Sequence, residues 1–116
     1  DYGFLRQAYY HPERSRGTLM CHYHHRAHED PFFLPGCQDI TAHVNFSDLI
    51  DSADAAGFES TLYTQAQYLI EHGLLDLAQA AFTENIAEQR LVSQAVRVLL
   101  DPQDMGESFK VLVVRA

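Results

Sequence analysis

The stretch "NFSDLIDSADAAGFESTLYT", residues 45–64, constrains this chain more than any other. Asn45 is a good helix N-cap, and Asp48, three residues later, sits among the unpaired N–H groups of the first turn. Leu49, Ala53 and Ala56 then fall on one face before Gly57 stops the helix. Directly after the glycine, "FESTLYT" alternates and carries the β-branched and aromatic residues of a strand. A helix over 46–56 joined to a strand over 58–64 across one glycine is an α/β joint.

The rest of the chain is read around that joint. "FKVLVV", inside a strand near 109–115, is a near-continuous apolar run, the pattern of a strand covered on both faces. Residues 65–81 read as one helix, or as two short ones broken near Gly73. Thr83 caps a longer helix over 84–100, where Ile86, Leu91, Ala95, Val98 and Leu99 form a stripe to be buried and Pro102 follows the end. Towards the start, "GTLMCHY" predicts a strand over 17–23 with Leu19, Cys21 and Tyr23 on one face and Thr18, Met20 and His22 on the other. Residues 24–38 hold Pro31, Pro35 and Gly36 without a clean period. They are expected to form a loop, pinned by Phe32, Phe33 and Leu34 and long enough to suggest a function. Three strands separated by helices make a thin α/β sheet.

With 116 residues the default is one folded unit. Sixteen acidic residues against eight basic ones give a formal net charge of −8, which repels a phosphate backbone or an anionic membrane surface. We therefore expect neither nucleic-acid nor membrane partners. Every apolar run is broken well short of a membrane span, and the first residues lack a basic start followed by an apolar segment. Cys21 and Cys37, the only cysteines, suit reduced thiols in a cytoplasm better than a disulfide framework. A chain that opens on Asp1 without an initiator methionine is expected to be a piece or a processed product.

"MCHYHHRAHED", residues 20–30, packs a cysteine and four of the seven histidines into a short span. Zinc needs three or four converging donors. His22 and His24 would share a face only in a continuing strand, whereas His24 and His28 would share one only in a helix. The two geometries exclude each other, and no CxxC or HExxH completes a set. No metal is expected, and the cluster reads as loop or surface histidines. Alternation puts Cys21 opposite His22, where a buried inert thiol is the usual outcome. Asp104 and Glu107 flank Gly106 in what reads as an exposed turn. The residues by themselves lead to a soluble α/β chain with a histidine-rich loop and to no reaction.

Six short motifs in order lead further: "DYG" at 1–3, "GTL" at 17–19, "HR" at 25–26, "PGCQDITAHVNF" at 35–46, "TQAQYL" at 64–69 and "MGESFKVL" at 105–112. Together they resemble the C-terminal part of the MidA-like family, class I S-adenosylmethionine-dependent methyltransferases whose mitochondrial member methylates protein arginine and assists assembly of a respiratory complex. The resemblance implies the C-terminal portion of a Rossmann-like fold, with "DYG" ending the fifth strand and 58–64 and 109–115 forming the sixth and seventh. It also implies S-adenosyl-L-methionine as cofactor, with the Gly-rich loop that holds it lying upstream of Asp1. Used alone, the chain would then be inactive and, with sheet edge exposed, prone to form a homo-oligomer. Where the family usually has Asp, this chain has Asn45, and an N-cap role suits either residue. His25 is the member of the histidine cluster that matches the family.

A protein substrate is implied, and the strand-end position of Asp1 and Tyr2 is where open α/β sheets place ligands. Asp1, Tyr2 and His25 are the expected catalytic residues, and His43 and Gln65 the expected substrate-binding ones. For His43 a hydrogen-bonded structural role is an equal reading. The alternative for the whole chain is a stand-alone interaction or histidine-rich metal-binding module without catalysis.

Overall fold

The computed structural model describes residues 1–116 as a mixed α/β chain. Its contacts group into two units, Gly3–Ser52 on one side and Asp1–Tyr2 with Ala53–Ala116 on the other.

The Gly3–Ser52 unit begins with β1 (Gly3–Phe4), which pairs in parallel with β5 (Val44–Asn45). Gly3 is required there by space. A Cβ on it would lie 2.2 Å from the Val44 carbonyl oxygen and 2.8 Å from Cε2 of Phe46, one of three buried apolar residues in the chain along with Cys21 and Ala53. Helix α1 (Arg6–Tyr9) follows, and α2 (Phe46–Ala55) starts directly after β5. Arg6 ties the two together, its Nη2 donating to Asp48 Oδ1 at 2.8 Å and Asp51 Oδ2 at 2.5 Å while its backbone N–H donates to Ser47 Oγ. Those two carboxylates, Asp51 first, hold the guanidinium protonated well beyond its ordinary range. Asn45 precedes α2 as expected, but it accepts from none of the first-turn N–H groups, so the expected N-cap is not formed. Its Nδ2 donates to Asp48 Oδ2 at 2.8 Å, while its own Oδ1 is buried without a partner.

The same unit holds a three-stranded antiparallel sheet in the order β3-β2-β4, made of β2 (Met20–Tyr23), β3 (Arg26–His28) and β4 (Asp39–Thr41). Two sequence expectations change here. The strand predicted over 17–23 starts only at Met20, because Gly17 turns with φ of +71°. Residues 24–38 are not all loop, because His24 and His25, with φ of 46° and 63°, reverse the chain in two residues and launch β3. Positive φ at both central positions is the condition for the tight hairpin turn whose twist matches its strands. The usual Asn-Gly signal is missing, and histidine is among the few other residues that visit this region.

In the other unit the last turn of α2 ends as the sequence predicts. Gly57, with φ of +82°, donates to Asp54 O, and Phe58 N–H reaches back to Ala53 O, the paired bonds of a left-handed C-cap. Then come β6 (Glu59–Thr64), α3 (Gln65–Glu71), α4 (Leu74–Ala80), α5 (Ile86–Leu100) and β7 (Lys110–Arg115). β6 and β7 pair antiparallel from Glu59↔Arg115 to Thr64↔Lys110, and Tyr2 bridges to Phe109 just before β7.

Of the two readings of 65–81, the structure takes the broken one. Gly73 sits between α3 and α4 with φ of +92°. Thr64 both ends β6 and caps α3, accepting from Gln67 N–H while the Gln67 side chain accepts from Thr64 N–H. The cap of α5 is Asn85, not Thr83, and Asn85 Oδ1 accepts from the N–H groups of Ala87 and Glu88. The expected burial of the α5 stripe and of both faces of β7 is not found. Ile86, Leu91 and Val98 are exposed, as is Val114, because a two-stranded sheet and three helices leave these faces without a covering layer in this unit. No helix is long and apolar enough to cross a membrane.

Candidate functional site

Three of the residues singled out by sequence meet at the start of β7. Asp1 and Lys110 exchange backbone hydrogen bonds, with Lys110 N–H donating to Asp1 O at 2.6 Å, and Asp1 Oδ1 accepts from Tyr2 N–H at 2.8 Å. The Tyr2 ring packs edge-on against Phe109 with centroids 5.6 Å apart. Gln65 completes the group by donating its N–H to Phe109 O at 2.9 Å. Its side-chain Nε2 donates to Leu99 O at 3.0 Å, so this amide also fastens α3 to the end of α5. The Asp1 side chain is exposed, whereas Tyr2 and Gln65 are half-buried.

Backbone packed around Gly106 shapes the same corner. A Cβ on Gly106 would lie 2.1 Å from Leu100 O, and its carbonyl accepts from Ala66 N–H at 3.0 Å. Gly3 and Gly106 are therefore both close-packed against backbone, and neither forms an open cradle for a nucleoside or a phosphate. These two glycines do not make a cofactor cradle of the Gly-rich kind.

In the Gly3–Ser52 unit, His25 stands exposed at the β2–β3 hairpin tip and makes no hydrogen bond, ion pair or ring contact. His43, between β4 and β5, is half-buried. Its ring stacks on Phe4 at 4.7 Å and 10°, Arg14 covers the Phe4 ring from 4.3 Å, and the His43 N–H donates to Thr18 Oγ1. The hairpin leaves His25 available for contact, whereas the Phe4 ring and Thr18 hold His43 in place. Cys21 is fully buried in β2, as alternation predicts, while Cys37 is exposed. No three histidine, cysteine or acidic side chains converge to hold a metal ion.

A cleft beside the hairpin was missed by sequence reading. Tyr23, Arg26, His28, Asp30 and Phe33 line it, with the Phe33 ring edge-on to Tyr23 at 5.7 Å and to His28 at 5.4 Å. The available signal was alternation through "HRAH", which sets residues 26 and 28 on one face once the chain has turned.

Residues 1–64 match a family model described as "Putative S-adenosyl-L-methionine-dependent methyltransferase". No curated protein matches the chain. Among solved structures, the whole chain superposes on a Burkholderia thailandensis protein bound to S-adenosyl-homocysteine and described as a "likely methyl transferase", with a TM-score of 0.92 and 42% identity. An uncharacterised protein of the same superfamily and organism matches at 0.91 and 41%. The chain spans 30% and 31% of the lengths of those two proteins.

Proposed function

Because the chain belongs to this family of S-adenosyl-L-methionine-dependent methyltransferases, we propose that it forms the C-terminal part of a MidA-like class I enzyme that methylates protein arginine. The observation that supports this most is the superposition of the whole of this chain on 30% of a protein bound to S-adenosyl-homocysteine, which is the cofactor after loss of its methyl group. In this reading the Gly-rich cofactor half lies upstream of Asp1, and the chain used alone is inactive. The wider proposal adds a cytoplasmic location, a role in assembly of a respiratory complex, and self-association through the uncovered faces of the β6–β7 unit.

The cofactor supplies a sulfonium methyl group, and the residues of this chain serve the acceptor. A guanidinium must be oriented and must lose a proton before or during attack, which calls for carboxylate and imidazole acceptors. Asp1 and His25 are proposed for that role, with Tyr2 beside Asp1. His43 and Gln65 are proposed to shape the substrate side, Gln65 by fixing the start of α3. The net charge of −8 favours a cationic protein substrate.

Two measurements test the proposal. Coding sequence upstream of Asp1 is expected to hold a strand, a Gly-rich turn and an acidic residue about twenty positions on. A start codon immediately before Asp1 would refute it. Incubating the whole protein with tritiated cofactor and a protein extract, followed by acid hydrolysis, is expected to yield labelled methylarginine. Label in methyl-lysine, or in small molecules alone, would refute arginine as the acceptor.

A further inference from the structure

We propose that the cleft beside the β2–β3 hairpin binds a carboxylate carried on a flat apolar body, a site that does not depend on the methyltransferase reading. Its volume, about 570 Å³, is that of a small-ligand pocket. Antiparallel pairing sets Arg26 opposite Tyr23 and His28 opposite Cys21, so Tyr23, Arg26 and His28 stand on one face of the hairpin. Phe33 folds over that face and packs edge-on against both Tyr23 and His28.

Two directed donors in this cleft lack acceptors. His28 Nδ1 accepts from Asp30 N–H at 3.1 Å, so in the neutral ring the proton sits on Nε2. That Nε2 is shielded from solvent and has no partner. A buried donor without an acceptor is costly, and a ligand that supplies one recovers the loss. Arg26 is exposed and belongs to none of the ion pairs of the chain. Its acidic neighbours are engaged elsewhere, Glu29 with Arg16 and Asp30 Oδ1 with Phe32 N–H.

The charge balance selects the anion. Asp30 also lines the cleft, and its charge repels a dianion such as phosphate more than a singly charged carboxylate. What remains attractive is direction. A planar carboxylate can accept from the guanidinium fork and, once the side chains shielding it shift, from the imidazole N–H as well, while its apolar body lies against the Phe33 and Tyr23 rings.

The test is amide chemical-shift titration of the 116-residue chain with 3-phenylpropionate, its uncharged amide, inorganic phosphate and a capped Phe-Glu dipeptide. The expected result is saturable shifts around residues 23–33 with the carboxylates, and far weaker shifts with the amide and with phosphate. R26Q should weaken carboxylate binding about tenfold or more, the loss of one charge-assisted hydrogen bond. Arg26 has no partner to lose, so the variant should keep the wild-type spectrum. H28N offers a second check, since its side-chain oxygen can still accept from Asp30 N–H while the Nε2 donor is gone. Tighter binding of the dipeptide would identify a protein side chain as the source of the carboxylate, and tighter binding of phenylpropionate a small acid. Either order upholds the site. Absence of carboxylate binding, equal binding of the amide or phosphate, or unchanged affinity in R26Q would overturn it.

Discussion

Replacing Gly3 with alanine should damage the Gly3–Ser52 unit far more than one added methyl suggests. The new Cβ would sit 2.2 Å from Val44 O, so that carbonyl must retreat by roughly 1 Å to reach ordinary contact. The parallel pairing it belongs to is two residue pairs long, Gly3↔Val44 and Phe4↔Asn45, and a shift of that size carries its hydrogen bonds beyond bonding distance. The same Cβ would press on buried Phe46 at 2.8 Å. Overpacking of this kind costs about 1 to 3 kcal/mol, and each lost backbone bond adds about 1 kcal/mol. We expect about 3 to 5 kcal/mol in total, a large share of the stability of a small domain. Gly57→Ala is the control, because Gly57 has φ of +82° and open space around it, leaving only left-handed strain of about 1 kcal/mol. Urea unfolding followed by tyrosine fluorescence, with amide spectra to locate the damage, measures both. A Gly3→Ala loss no larger than that of Gly57→Ala would refute the argument from close approach.

Thr64→Ala removes the capping box of α3 and should cost about 1 kcal/mol in urea unfolding. Asn85→Ala should cost about 1 kcal/mol at the start of α5 and Thr83→Ala clearly less, because only Asn85 accepts from the first-turn N–H groups; equal losses would contradict that assignment. A thiol reagent should modify Cys37 rapidly and reach Cys21 only when denaturant is added. Arg6 should act as a constant charge. Its raised pKa means that its two ion pairs are intact below the ordinary arginine value and are lost only as pH rises beyond it, so R6Q should shift stability equally at pH 6 and pH 9. Light scattering of the chain at micromolar concentration should reveal association, since Leu77, Phe82, Ile86 and Leu91 are all more than half exposed; a stable monomer would argue against it.

How much of this was legible in the sequence depends on whether a signal was local. Helix α2, its stop at Gly57 and strand β6 were readable because the C-cap glycine, periodicity and turn chemistry lie within a few residues of each other, even though Asn45 does not cap the start. β1 and β5 were not, because two-residue strands exist only through the partner backbone that Gly3 admits. Thr83 and Asn85 are both competent caps two residues apart, and only the observed helix start at Ile86 separates them. The covered state of β7 was inferred from its composition, yet composition does not say which chain does the covering.

The candidate site divides along the same line. Asp1, Tyr2 and Gln65 were named from the order of motifs, and their meeting at Phe109 and Lys110 follows from the register of β7, which no local pattern encodes. His25 was named as the histidine shared with the family, whereas Arg26 entered only within the "HR" motif and His28 only as a metal ligand weighed with His24. In a loop, residues 26 and 28 have no common face and no reason to act together. Two left-handed histidines convert that loop into a hairpin, and the conversion alone aligns Arg26, His28 and Tyr23. Backbone conformation in this region is unfavourable for residues other than glycine, so a turn built from His24 and His25 is held by what the strands gain from pairing. Replacing the pair with Asn-Gly should therefore stabilise the hairpin and keep the cleft while removing His25. If the proposed roles are correct, such a variant would bind 3-phenylpropionate normally, and the whole enzyme carrying it would lose methyl transfer.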